Sequence, residues 1–190
     1  MMPAPDSAPS NALDEETARS ELYGLLALLY YAPPATELIA QLRVATTDAP
    51  AAGAFLEEPW RALVGVARAM SVPAIQSEYN ELFGGIGKPE VYLYGSHFLS
   101  GFLNEKPLAR LRTELAQLGL ARDENMSETE DHFAYLCEVM RYLIAGDDVA
   151  VANLTRQREF FTRHVLTWLP QMCEALGAHP KAQFYRALTR

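Results

Sequence analysis

Apolar side chains recur at i, i+3, i+4 and i+7 along most of this chain, and strand-like alternation is nearly absent. Leu22, Leu25, Leu26 and Leu29 follow that spacing, as do Leu108, Leu111, Leu115 and Leu118. Such a period places apolar groups on one face of a helix and leaves a sheet no continuous face to bury. Alternation appears only at 91–94, too short to build a sheet. The expected fold is therefore all-α, a single-domain bundle of about eight helices. At 190 residues the chain is long enough to bury its own core without a metal or disulfide staple.

Proline and glycine set the expected boundaries. A first helix runs from about Asp14 to Tyr31, where Pro33 and Pro34 stop it. Shorter helices follow at about 35–44, 57–70 and 74–83, the last two separated by Pro73. Residues 84–101 break the period: six residues there are Gly84, Gly85, Gly87, Gly95, Gly101 and Pro89, interleaved with Tyr92, Tyr94 and Phe98. A structureless connection that long is unusual unless it is functional, and its aromatics argue for packing rather than disorder. Helix resumes near Pro107, with Gly119 as a C-cap. Ser127 and Glu130 have the spacing of a capping box, which starts a helix through Phe133, Leu136, Met140, Leu143 and Ile144. A long helix over about 149–176 is expected to kink at Pro170, and a short one closes the chain at about 180–188. The domain thus covers 13–190. Residues 1–12, rich in proline and without a basic start or apolar run, read as a disordered tail and not as a secretory signal.

The net charge of −8 excludes a general nucleic-acid binder, which needs basic residues against phosphate. It suits a partner bearing positive charge as well as simple solubility. Cys137 and Cys173 have no Cys-x-x-Cys or Cys/His neighbours, so they read as free thiols in a reducing compartment, and the chain as cytoplasmic. No apolar run reaches the roughly 18 residues of a membrane span.

Catalytic templates fail in turn. Gly87-Lys88 lacks the rest of a phosphate-binding loop: position 82 is Leu, and Pro89 replaces the metal-binding hydroxyl. A di-iron bundle needs Glu-x-x-His from two helices, but Thr129 stands three residues before His132. Ser96 beside His97 makes no triad, and no G-x-S-x-G elbow exists. No enzyme, cofactor or metal is expected.

Two stretches go beyond a generic helical protein. One is Glu78-Tyr79-Asn80-Glu81-Leu82-Phe83-Gly84, leading to Tyr94-Gly95-Ser96-His97-Phe98; the other is Glu128-Thr129-Glu130-Asp131-His132. In order and spacing they resemble the two signatures of the TorD/DmsD family of redox-enzyme maturation proteins. Those are an aromatic-x-x-Leu-Phe-x-Gly stretch before a Gly-Ser loop, and a Glu-Pro-x-Asp-His turn opening a helix. The resemblance extends over about residues 14–188. Thr129 replaces the usual proline, Tyr94 replaces a frequent tryptophan, and the loop's prolines are reduced to Pro89.

The resemblance implies a chaperone for the catalytic subunit of a molybdopterin oxidoreductase, of formate dehydrogenase or dimethyl sulfoxide/trimethylamine N-oxide reductase type. Such a chaperone binds the apo-enzyme, and its twin-arginine signal peptide where one exists, until cofactor insertion. Monomers and helix-swapped dimers both occur in the family. On chemical grounds Glu81, Glu128 and Asp131 would take guanidinium groups, while Tyr79, Phe83, Tyr92, Tyr94 and Phe98 would line an apolar groove. Gly95 and Ser96 would shape the loop. For the acids at 128–131 a competing reading is favourable placement at a helix's positive end. Asp131 and His132, adjacent on a helix, would point about 100° apart, leaving one free to bond the loop; His132 would either contact the client directly or serve as a structural histidine. A different class of function, a small-ligand-binding or regulatory domain, would require an enclosed cavity.

Overall fold

The first helix starts earlier than its apolar stripe suggests. In the computed structural model, which describes residues 8–47, 56–84, 88–103, 106–123 and 126–190, α1 spans Ala8–Tyr31. Residues 8–12 of the expected tail are thus helical, with Pro9 in the first turn where proline costs no internal hydrogen bond. Residues 1–7 lie outside the described residues. Ten helices are found among the described residues and no strand, in keeping with the expected all-α class. They gather in two compact units, each built from separated stretches of chain.

The first unit combines residues 1–31 with 94–168. Its core pairing sets α1 against α7, Phe133–Ala145, and α8, Leu154–His164, lies on α7 as well. On α1 the buried positions include Ala27, Leu29 and Tyr30; on α7 they include Phe133, Leu136, Met140 and Leu143. Two further helices, α5 at Gly95–Ser100 and α6 at Lys106–Gln117, pack together. The expected stripe of α6 is realised, with Leu108, Leu111, Leu115 and Leu118 all buried. Gly119 ends it at φ 73°, the left-handed conformation that favours glycine.

The second unit combines residues 32–93 with 169–190. It contains α2 at Thr36–Val44, α3 at Glu57–Ala69, α4 at Val72–Phe83, α9 at Leu169–Ala178 and α10 at Phe184–Ala187. Arg43 and Arg68 tie α2 to α3 reciprocally: Arg43 donates to the carbonyls of Ala67 and Met70, and Arg68 to those of Arg43 and Ala45. Each guanidinium therefore satisfies carbonyls that a helix end leaves without partners. Pro73 does not separate two helices. It sits in the first turn of α4, behind Ser71, whose hydroxyl accepts from the Ala74 N–H at 3.3 Å.

Three local expectations are corrected. The long helix over 149–176 is two helices, because Asn153 caps α8 from the Arg156 N–H at 3.1 Å and α8 ends at His164. Pro170 is then the second residue of α9 and kinks nothing. The segment 84–101 is not structureless throughout, since 95–100 form α5. The capping box does not form: α7 begins at Phe133, and its cap is His132, whose Nδ1 accepts from the Ala134 N–H at 3.2 Å. The Glu130 side chain is taken instead by Arg112, in a two-pronged pair at 2.9 and 3.0 Å.

Candidate functional site

The two sequence signatures contribute to both units. In the first, Tyr94, Gly95 and Ser96 are held against Glu128, Asp131 and His132. The Gly95 N–H donates to the Asp131 carbonyl at 3.1 Å, and Tyr94 forms an isolated antiparallel bridge with His132. One side-chain oxygen of Asp131 accepts from the Ser96 N–H at 2.7 Å, and the other from the Thr129 hydroxyl at 2.7 Å. The Tyr94 hydroxyl bonds the Glu128 carboxylate, and its ring meets the His132 ring edge-on at 5.0 Å. Asp131 and His132 are each 4% exposed. Neither lies on the helix, so the acids at 128–131 do not occupy a first helical turn. Asp131 is the member of the pair that bonds the loop.

Behind this clasp stands Trp168, fully buried, whose indole N–H donates to the His164 carbonyl at 2.6 Å. Phe98 stacks on it at 5.6 Å, and Phe133 meets it edge-on at 6.0 Å. A Cβ at Gly95 would come within 2.9 Å of the indole nitrogen, so the glycine admits the close approach of backbone to ring. Sequence periodicity marks Trp168 as core, but nothing local links it to Gly95. Glu114 supports the same region: its carboxylate takes Arg163 at 2.5 Å and His164 at 2.8 Å. Burial raises its pKa, but those two donors outweigh the burial and hold it below the usual carboxylate value.

Burial also governs His132. It pushes the imidazole down to about 4, against the weaker upward pull of Glu128 and Asp131. The folded protein therefore keeps His132 neutral where the unfolded chain, near 6.5, already takes a proton. Its contribution is complete above pH 6.5 and is lost as pH falls toward 4, because the unfolded state then binds the extra proton. The expected loss over that window is up to about 3 kcal/mol. Urea unfolding at several pH values should show that slope, and His132→Asn, which keeps a capping oxygen, should flatten it. An equal slope in the variant would rule His132 out as its source.

The remaining candidates belong to the second unit. Tyr79 is 8% exposed and packs with Phe83 and Tyr185 in an edge-to-face cluster, at 5.1 and 5.9 Å from its ring. Phe83 and Tyr92 are half-buried, and Glu81 is exposed, 3.5 Å from Lys181. The flanking Val91 and Leu93 are buried, and the Val91 N–H donates to the Leu82 carbonyl at 2.9 Å. Glu78 is the residue that motif reading passed over. It lies on the buried face of α4, and its carboxylate accepts the N–H groups of Gln183, Phe184 and Tyr185 at 2.9–3.1 Å. An acid at i+3 between Ile75 and Leu82 on an apolar stripe is the signal that could have revealed it.

An all-helical chain in which Tyr94–Ser96 are clasped by residues 128–132 has a match among known families. Residues 49–174 fit the family model described as nitrate reductase delta subunit. The chain belongs to that family, the TorD-type group that its motifs resemble. It is 27% identical over 123 residues to the chaperone protein TorD of Vibrio cholerae serotype O1, a match covering 61% of this chain and 56% of that protein. For the chaperone protein TorD of Vibrio parahaemolyticus the identity is 24% over 124 residues, covering 61% and 58%. The chain thus spans little more than half the length of these curated relatives. Among the described residues, no helix is long and apolar enough to cross a membrane.

Proposed function

We propose that this chain is a cytoplasmic chaperone that binds the apo catalytic subunit of a molybdopterin oxidoreductase, with its twin-arginine signal peptide where present, before cofactor insertion. The observation that carries the reading is the clasp at 94–96 and 128–132. The end of the first signature and the whole of the second are spent on fixing this one stretch of the first unit, and no nucleophile and base are brought together there. The kinship with proteins named as chaperones supports it. Tyr94 and Glu128, both partly exposed, are the clasp residues open to a client. Asp131, with both oxygens engaged, and His132, buried and capping α7, act as positioning residues. Tyr92, Phe83 and Phe98 remain candidates for apolar contact.

Co-expression with candidate catalytic subunits tests this directly. The subunit whose activity depends on the chaperone should co-purify with it in the cofactor-free form, and retention of none of them would refute the reading. Binding of an arginine-bearing signal peptide should weaken several-fold between about 0.05 and about 0.5 M salt, since exposed ion pairs are screened. Isothermal titration at both salts reads this, and an unchanged affinity would remove carboxylates from the recognition.

A further inference from the structure

α5 does not supply its own start. Its six residues, Gly95–Ser100, make fewer than two turns, and an isolated helix under about twelve residues is marginal in water. Glycine bounds it at both ends: Gly95 opens it, and Gly101 follows it at φ 77°. Tyr94, at the N-cap position, makes no side-chain capping bond. The first two N–H groups go instead to a residue far along the chain. Gly95 donates to the Asp131 carbonyl at 3.1 Å, and Ser96 to the Asp131 carboxylate at 2.7 Å. Asp131 thus caps α5 from outside, while the adjacent His132 caps its own helix, α7.

Little apolar burial supplements that cap. Gly95 and Ser96 are the buried residues of α5, and Phe98, half-buried, stacks on Trp168. Leu99, Phe102 and Leu103 are exposed, Phe102 at 71%. Ser100 adds a local brace, its hydroxyl donating to the Ser96 carbonyl at 2.7 Å. Against these contacts stands a polar group confined without compensation. The Ser96 hydroxyl is fully buried and has no hydrogen-bond partner among the described residues. A buried donor left unpaired carries a desolvation cost, which opening of the helix returns.

We infer that α5 is a latch. Seated on Asp131 it assembles the client surface, and opening as one local unit it takes that surface apart while the rest of the first unit stays folded. Opening withdraws Tyr94 from Glu128 and Phe98 from Trp168, so the polar and the aromatic sides of the surface are lost together. Release of a client then needs no unfolding of α1 or α7. The unpaired Ser96 hydroxyl keeps the seated state from becoming too stable to open. The latch itself is a property of the fold; its part in release rests on the client binding proposed above.

Amide hydrogen exchange of the full-length protein reads the latch without any client. The bonded amides of Ser96 and Gly101, at the two ends of α5, should share one protection factor, lower than that of mid-α7 amides by on the order of a hundredfold. Gly101→Ala strains a left-handed φ where nothing lies within 4 Å. It should lower the protection of Ser96, at the far end, by roughly fivefold. Ser96→Ala removes the unpaired hydroxyl and should raise the protection of Gly101 by on the order of tenfold. Neither change should alter α7; if Ser96→Ala does not fold, Gly101→Ala decides. Ends that respond independently, or protection equal to that of α7, would overturn the latch. The release step is read with a synthetic peptide that carries two adjacent arginines before an apolar stretch. Bound peptide should raise protection at both ends of α5, and Ser96→Ala should slow its dissociation by the same factor as it slows exchange. Dissociation unchanged in that variant would overturn release through α5. A peptide that fails to bind a chain whose α5 opens as described would sink the client reading and leave the latch standing.

Discussion

Glu78→Ala is expected to lower stability by about 5 kcal/mol, a large part of the roughly 5–15 kcal/mol that holds a domain of this size together. The carboxylate is 6% exposed and receives three backbone N–H groups from consecutive residues, at 2.9 Å from Gln183, 3.1 Å from Phe184 and 2.9 Å from Tyr185. Those donors open α10, and a helix start leaves its first N–H groups without internal partners. Alanine would orphan three of them, two in residues that are fully buried, and each such loss costs about 1–3 kcal/mol. Phe184 and Tyr185, which seal the second unit's core beside Tyr79 and Phe83, depend on that tether. Glu78→Gln keeps one accepting oxygen but turns an NH2 toward a donor, so about half the loss is expected. Glu81→Ala, three residues on and exposed, should change stability by less than about 0.5 kcal/mol. Urea unfolding of the three variants checks the order, and a loss under about 1 kcal/mol for Glu78→Ala would show that water replaces the carboxylate.

Glu78 also shows where sequence reading stops. The apolar stripes of α4, α6 and α7 were legible because burial is periodic along a helix: Ile75 and Leu82, Leu108 to Leu118, and Leu136 to Leu143 all lie where the spacing puts them. A charge on the buried stripe was visible too. Its partners stand more than a hundred residues away and share no pattern with it. The failed capping box has the same cause. Ser127 and Glu130 have the right separation, but Arg112 offers Glu130 a two-pronged ion pair that a local backbone N–H does not match. With Glu130 engaged, the chain turns through 128–131 without helix, and His132 supplies the cap. Break points were misplaced wherever a cap outcompeted a proline, as with Ser71 before Pro73 and Asn153 ahead of Pro170. The motifs name the residues that meet in the first unit's clasp, but which of them face inward follows from hydrogen bonds that no sequence pattern encodes.

That distinction sets the expected behaviour of Asp131. Asp131→Ala should cost about 3 kcal/mol, since it orphans the buried Ser96 N–H and releases the Thr129 hydroxyl. It should also weaken client binding, because the loop loses its side-chain tether at Ser96 and keeps only the main-chain bonds of Tyr94 and Gly95 to residues 131 and 132. Asp131→Asn separates the two effects. Its amide oxygen can still accept from Ser96, and its NH2 can donate to the Thr129 hydroxyl, which rotates to accept. The fold should then lose only about 1 kcal/mol, and a positioning role requires that client affinity stay within a few-fold of wild type. A carboxylate that itself grips an arginine would behave otherwise: the asparagine variant would fold normally and bind poorly. Glu128→Gln is the counterpart, with its carboxylate partly exposed beside Tyr94. It should weaken an arginine-bearing peptide and reduce the salt dependence of binding, with thermal stability nearly unchanged. If Asp131→Asn and Glu128→Gln exchanged these behaviours, the direct contact would belong to Asp131, and the buried clasp would have to open for the client to reach it.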